Sequence, residues 1–90
     1  MPRYIVERNF PDGLIVPVTA EGAAATEKVI ANNMEERVTW VQSFVSLDKK
    51  TTFCVYDGPS PEAIRRAGQR NGLPVDAVTE VRVMEPYFYF

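Results

Sequence analysis

Two strand-like stretches, VTWVQSFVSL (38–47) and TTFCVYD (51–57), are separated by a short polar connection. β-Branched and aromatic residues dominate both stretches, and this arrangement predicts a β-hairpin. Along the first strand, Trp40, Gln42 and Phe44 alternate onto one face. A sheet with one solvent-exposed face should carry polar residues on that face. Because aromatic residues stand there instead, we expect a partner chain or a ligand to cover this face.

The composition bounds the class of protein. Ninety residues make one domain, 1–90, since the chain is too short for two cores. Hydrophobic residues form 46% and charged residues 24% of the chain, which is typical of a globular protein and argues against disorder. The net charge is −2 and there is no basic run, so no nucleic-acid partner is expected.

The amino terminus and the residue counts indicate the compartment and limit the chemistry. MPRYIVERNF lacks the apolar core of a secretory signal, and no stretch approaches the roughly 18 apolar residues that span a bilayer. We therefore expect a cytoplasmic protein without a membrane partner. The single cysteine, Cys54, excludes an internal disulfide and is expected to be a small buried hydrophobe. The absence of histidine removes the usual general base and the commonest nitrogen ligand for metals.

Two helices are predicted, one on each side of the hairpin. The first begins at an N-cap, Thr19, and extends to about Asn33. The second begins at Ser60-Pro61-Glu62, a cap followed by proline and an acid, and ends at Asn71-Gly72. The outward arginines of the second helix, Arg65, Arg66 and Arg70, could hold an anion, but a solvated helix face is the preferred interpretation. Ala23, Thr26, Ile30 and Met34 recur at helical spacing in the first helix, and Ala63, Ile64 and Ala67 form the inward stripe of the second.

Strands at both ends complete the order of elements. Residues 3–8 and 77–84 alternate and contain β-branched side chains, so both are predicted strands. Leu14-Ile15-Val16 is a loop or a strand fragment, because Pro17 interrupts it. The order β-α-β-β-α-β predicts a ferredoxin-like α+β fold: a four-stranded antiparallel sheet with two helices on one face. We expect the first and last strands to lie side by side in the centre.

The hairpin register assigns side chains to the two faces of the sheet. A two-residue turn at Asp48-Lys49 would pair Phe44 with Phe53, Gln42 with Val55, Ser43 with Cys54 and Val41 with Tyr56. The smaller side chains suit the helices, so Tyr4, Val6, Val41, Val45, Cys54, Val81 and Val83 are assigned to the helix side. The opposite side, here named the open face, would carry Ile5, Glu7, Trp40, Gln42, Phe44, Phe53, Val55, Glu80 and Arg82.

The charged residues of the open face suggest a site. Arg82 could lie between Glu7 and Glu80 and satisfy both carboxylates. A cavity beside this cluster, lined by Trp40, Gln42, Phe44 and Phe53, would have the usual form of a small-molecule pocket. The plainer alternative is that the charges are solvated cross-strand pairs on a wet sheet.

The chain resembles a small bacterial single-domain family that includes an actinobacterial nickel-binding protein. The matching segments are RYIVERNFPDG, VTWVQSFVSLDKKTTFCVYDGPSPEAIRRAGQRNGLPVDAVTEVRV and EPYFY. The resemblance implies the ferredoxin-like fold and a homodimer joined through its sheets, as in dimeric α+β barrels. It also makes nickel or another divalent metal a candidate cofactor, with Glu7 and Gln42 as candidate ligands. Relatives often carry histidine where this chain has Gln42.

Three functions follow from these observations. The first is a homodimeric binding protein that holds a metal ion or a small molecule at the open face. The second is a barrel enzyme that acts on a small apolar molecule, with Glu7 or Glu80 as general base. The third is an interaction module whose open face is only a subunit interface. No nucleophile–base pair, phosphate loop or metal-ligand spacing motif names a reaction.

Overall fold

The computed structural model describes residues 1–14 and 20–89 and has the predicted ferredoxin-like order. The predicted strand fragment at Ile15-Val16 and the predicted N-cap at Thr19 lie outside the described residues. A 3₁₀ turn at Pro86–Tyr89 follows the last strand. The elements are β1 (Arg3–Asn9), α1 (Ala20–Glu35), β2 (Thr39–Val45), β3 (Thr51–Asp57), α2 (Pro61–Asn71) and β4 (Ala77–Val81).

The four strands form one antiparallel sheet in the order β2-β3-β1-β4. The prediction that the first and last strands occupy the centre was therefore wrong. β1 does pair with β4, but β3 takes the other side of β1, so β1 and β3 are central and β4 is an edge strand. Alternation along a strand reveals its faces but not its neighbours, which is why the sequence did not reveal this order.

The hairpin has the predicted register over most of its length. Phe44 lies opposite Phe53, and Gln42 lies opposite Val55. The connection is longer than predicted, because Ser46 and Thr51 still bond to each other and leave four residues between them. Lys49 takes a positive φ of 62° in this connection. The connection is therefore longer than the predicted two-residue turn, whereas the pairing of the strands from Gln42 to Phe44 agrees with the prediction.

α2 begins and ends as its sequence predicts. The Ser60 side chain accepts a hydrogen bond from the Ala63 amide, and Pro61 occupies the first helical position. Gly72 ends the helix with a φ of 65°, a conformation that costs glycine least. The apolar stripe faces the sheet, and Ala63, Ile64 and Ala67 join the core with Tyr4, Val6, Val38, Cys54 and Tyr56.

α1 turns inward a side that its sequence pattern does not mark. Ile30 and Met34 are 45% and 71% exposed, whereas Asn33 is buried. The Asn71 amide donates to the Asn33 side-chain oxygen, and Asn32 donates to Asn71. Of the residues at helical spacing in α1, Thr26 is half-buried, whereas Ala23, Ile30 and Met34 are exposed, so that spacing does not mark the inner side of the helix. Neither helix in the described part of the chain has the length and apolar character needed to cross a membrane.

Candidate functional site

The open face of the sheet is the side turned away from α2. The buried residues of β1 and β3 pack beneath α2, and their alternate neighbours point to the opposite side. Phe44 and Phe53 lie opposite each other there and are 57% and 40% exposed. By register with these residues, the open face contains Arg3, Ile5, Glu7, Gln42, Phe44, Phe53, Val55, Asp57, Ala77, Thr79 and Val81.

Glu7 is the polar residue that stands out on this face. It lies between Phe53 on β3 and Ala77 on β4 and is half-buried. Within residues 1–14 and 20–89, its carboxylate has neither a hydrogen bond nor an ion pair. A half-buried carboxylate among apolar side chains lacks part of its hydration. It therefore gains from any donor or cation that approaches this face.

Trp40 does not lie on the open face, which corrects the prediction. A β-bulge between Trp40 and Gln42 leaves Val41 without a register partner and places Trp40 opposite Tyr56. Trp40 consequently packs against the core, and its indole N–H donates to the Ser43 hydroxyl at 2.7 Å. The predicted pairing of Val41 with Tyr56 was also wrong. A bulge inserts one extra residue and reverses the faces beyond it, and alternation alone does not locate it.

Glu80 is also on the helix side rather than the open face. β4 pairs with β1 so that Glu80 lies opposite Tyr4, and the Tyr4 hydroxyl donates to the Glu80 carboxylate at 3.4 Å. Burial and the Glu80 charge raise the pKa of Tyr4. Val81, assigned to the helix side, occupies the open face instead. Register between strands decides these faces, and a shift of one residue exchanges them.

Arg82 lies beyond the end of β4 and is exposed. In the described part of the chain it has no ion pair, so the predicted cluster of Glu7, Arg82 and Glu80 does not form. Val83, expected on the helix side, is likewise past the strand and is 59% exposed. Arg82 and Glu80 instead line an open groove of about 420 Å³ beside β4 and the amino terminus.

An ion pair that the sequence analysis missed lies at one end of the open face. Arg3 donates through Nε to Asp57 at 2.8 Å and through Nη2 at 3.2 Å. The Arg3 side chain lowers the pKa of Asp57, and the same contact raises the pKa of Arg3. Arg3 and Asp57 are register partners in adjacent strands. The signal was present in the sequence as opposite charges at the two ends of predicted strands.

Glu7 and Gln42 lie on the same face but far apart. β3 lies between their strands, and Gln42 is two residues along β2 from the row that contains Glu7. Standard strand spacings put their Cα atoms about 12 Å apart. No group of three or more His, Cys, Asp or Glu residues in the described chain could hold a metal ion. The described chain therefore does not offer the donor set that nickel prefers, which includes imidazole nitrogen or thiolate.

Arg8 is a buried cation on the helix side that the sequence analysis did not consider. It is 3% exposed, its Nη1 donates to the Tyr56 hydroxyl at 3.3 Å, and its guanidinium lies 5.6 Å from the Tyr56 ring centre. Its Nε has no hydrogen-bond partner in the described chain. Burial raises the pKa of Tyr56, although the nearby Arg8 charge opposes the rise. Cys54 is a buried free thiol in the same layer, as predicted.

These features define a ferredoxin-like α+β protein with a partly aromatic sheet face that neither helix of the described chain covers. The sequence model of one protein family, described as "Nickel responsive protein SCO4226-like", matches residues 4–81. The chain therefore belongs to the SCO4226-like family of nickel-responsive proteins. The resemblance inferred from the sequence is confirmed at this level.

A solved structure agrees with this fold. The crystal structure of SCO4226 from Streptomyces coelicolor A3(2) is similar to the chain with a TM-score of 0.71 at 23% sequence identity. The match covers 92% of this chain and 99% of that one. No curated protein matches the sequence. The structural likeness establishes the shared fold and leaves the chemistry of the open face to its own residues.

Proposed function

We propose that this chain is a small homodimeric binding protein whose two open faces pack together and enclose a ligand. The observation that carries this proposal is Glu7, a half-buried carboxylate without a partner in the described chain, set beside Phe53. Such a group favours a ligand that supplies a cation or hydrogen-bond donors. The apolar side chains around it would exclude water from that contact.

A second copy of the chain suits the open face for two reasons. Phe44 and Phe53 form an exposed aromatic pair, and contiguous apolar surface of this kind marks interaction sites. The charges at the end of the face are already paired, because Arg3 binds Asp57. Covering the face therefore buries apolar area without isolating those two charges.

The ligand is a divalent metal ion or a small polar molecule with an apolar part. The family description supports a metal-related role. Each copy offers the Glu7 carboxylate and the Gln42 amide oxygen, which are hard oxygen donors. A dimer would bring two sets of these donors to one interface. Oxygen donors suit hard cations better than they suit nickel, so a small molecule or an oxygen-bound divalent ion fits this chain best.

A carboxylate base is the second candidate role. Of the two acids considered, Glu80 is engaged by Tyr4 on the helix side, and Glu7 alone stands on the open face. An unpartnered carboxylate in apolar surroundings is the form that a general base takes. Turnover of a bound aromatic substrate that depends on Glu7 would distinguish this role from simple binding.

Thermal unfolding with added ligands tests the proposal. Metal-free protein would be heated with nickel, with magnesium and with a set of small aromatic acids and amines. A ligand that binds the native state raises the unfolding midpoint by several degrees. Glu7→Gln should remove that rise, whereas the control Glu27→Gln, an exposed acid on α1, should keep it. The proposal fails if no ligand shifts the wild-type midpoint or if Glu7→Gln leaves the shift intact.

A further inference from the structure

A glutamate just after α1 contacts two of the three arginines on the outer surface of α2. Glu36, just after α1, accepts hydrogen bonds from Nε of Arg66 at 2.8 Å and from Nε of Arg70 at 2.9 Å. The Glu36 side chain is only 12% exposed, whereas Arg66 and Arg70 are 56% and 49% exposed. Both arginines lower the pKa of Glu36, which therefore stays ionised. A nearly buried anion thus holds two exposed guanidinium groups in fixed positions.

These arginines retain most of their hydrogen-bonding capacity. Each uses Nε for Glu36, and their Nη groups have no partner in the described structure. Arg65 adds a third positive charge one position before Arg66 and lines the same groove as Arg66. The whole chain has a net charge of −2, which makes this a local reversal of sign. Exposed, oriented guanidinium groups are suited to bind oxyanions.

A groove with an apolar floor adjoins these groups. Its volume is about 290 Å³, and its lining combines Arg65, Arg66 and Gln69 with the half-buried side chains of Leu73 and Val75. A second depression of about 370 Å³ shares Arg66 and Gln69. The lining therefore offers charge, an amide and apolar contact within one site of the size of a small ligand.

Gly68 fixes the floor of this groove. A Cβ atom at Gly68 would lie 2.7 Å from Cγ2 of Val75. Glycine therefore allows the segment after α2 to fold back closely against the helix. Val75 in turn packs against the core, so its outer surface is held in place. The apolar floor is consequently held against α2 by this packing and by the hydrogen bond from the Leu73 amide to the Gly68 carbonyl.

We propose that this groove binds a small organic anion, with its phosphate or carboxylate group on Arg65 and Arg66 and its apolar body on Leu73 and Val75. The site lies on the outer side of α2, on the other side of the sheet from the open face. It therefore does not depend on the function proposed for that face. Glu36 is a positioning residue here, because its contact with Nε orients Arg66 and its own side chain does not line the groove.

Calorimetric titration of the full chain with three probes tests this proposal. Phenyl phosphate should bind at least about tenfold more tightly than inorganic phosphate, because a buried ring adds apolar contact. Comparison of phenyl phosphate with phenylacetate identifies the preferred anionic group. In NMR spectra, the amide chemical shifts around Gln69 and Leu73 should change when either phenyl phosphate or phenylacetate is added. Absence of saturable binding of both aromatic probes, or equal affinity for phosphate with and without the ring, would overturn the proposal.

Variants separate a built site from diffuse charge. Arg66→Gln should weaken phenyl phosphate binding by about tenfold or more, since charge-assisted contacts are lost. Arg66→Lys keeps the charge but loses the planar fork, and it should weaken binding several-fold. Lys28→Gln removes an equal charge from the exposed surface of α1 and should leave affinity unchanged. An equal loss in Arg66→Gln and Lys28→Gln, or full affinity in Arg66→Lys, would contradict a positioned site.

Discussion

Arg8 shows at the residue scale how a buried charge can cost stability. Its guanidinium is buried with one hydrogen bond, to Tyr56, and an unpaired Nε in the described chain. None of the residues left undescribed, 15–19 and 90, has an acidic side chain that could pair with it. Replacing a poorly compensated buried charge with an apolar side chain of similar length is often neutral or stabilising.

We therefore expect Arg8→Met to leave the free energy of unfolding unchanged or to raise it by about 1–4 kcal/mol. Tyr56→Phe should lower it by about 1–3 kcal/mol, because the buried Arg8 donor then loses its partner. Urea denaturation measures both changes. If Arg8→Met instead destabilises the protein by more than about 3 kcal/mol, the guanidinium has a strong partner and this account is wrong.

Three acidic residues make stability depend on pH. The pKa of Glu36 is lowered by Arg66 and Arg70, that of Asp57 by Arg3, and that of Asp48 by the Ser46 hydroxyl and the Lys50 amide. A carboxyl with a lowered pKa in the fold stabilises the protein fully above its unfolded pKa, about 3.9 for Asp and about 4.3 for Glu. That contribution is lost as pH falls through the folded pKa.

We expect the free energy of unfolding to fall as pH decreases from about 5 into the acid range. Glu36→Gln should make this dependence shallower, because one of the three groups no longer titrates. Glu27→Gln, on the exposed side of α1, should leave the slope as in the wild type. Urea denaturation across this pH range provides the measurement. Identical slopes in wild type and Glu36→Gln would show that the contacts with Arg66 and Arg70 contribute nothing.

At the scale of elements, the sequence predicted local structure better than the contacts between elements. The caps of α2 are specified by Ser60 and Gly72 themselves, and these predictions were confirmed. The inner side of α1 depends on Asn33 and Asn71, residues that are far apart in the sequence. A polar contact of this kind leaves no apolar periodicity, so the pattern of α1 did not mark the inner side.

The sequence also predicted the candidate site only in part. Glu7, Gln42, Phe44 and Phe53 do lie on the open face, because their strands keep regular alternation up to the bulge. Trp40 and Glu80 do not, since a bulge in β2 and the pairing of β4 reverse their sides. Both features arise from pairing between strands, which no single strand encodes.

The bulge has a measurable consequence for β2. Trp40 packs against the core, whereas Phe44 is 57% exposed on the open face. We expect Trp40→Ala to lower the free energy of unfolding by about 2–4 kcal/mol through the loss of buried area. Phe44→Ala should change it by less than about 1 kcal/mol at protein concentrations low enough to keep the chain monomeric. Urea denaturation of both variants tests the bulge, and equal losses would contradict it.

At the scale of the whole molecule, the helices of the described chain cover one side of the sheet and leave the other side exposed. The described chain buries Tyr4, Val6 and Tyr56 beneath α2 but leaves Phe44 and Phe53 exposed. A small domain has little apolar area to spare, so a second copy on the open face would add substantially to its stability. Stability would then depend on protein concentration, since association favours the folded state by mass action.

We expect the thermal midpoint of the wild type to rise with protein concentration and sedimentation equilibrium to detect a dimer. Phe44→Lys places a charge in the proposed interface and should give a monomer whose midpoint no longer depends on concentration. Met34→Lys likewise replaces an apolar side chain with a charged one, but on the surface of α1, where Met34 is 71% exposed. This control variant should preserve the dimer. A monomeric wild type, or a dimer that survives Phe44→Lys, would mean that the open face is not the subunit interface. Disruption by Phe44→Lys alone would place the interface on the open face.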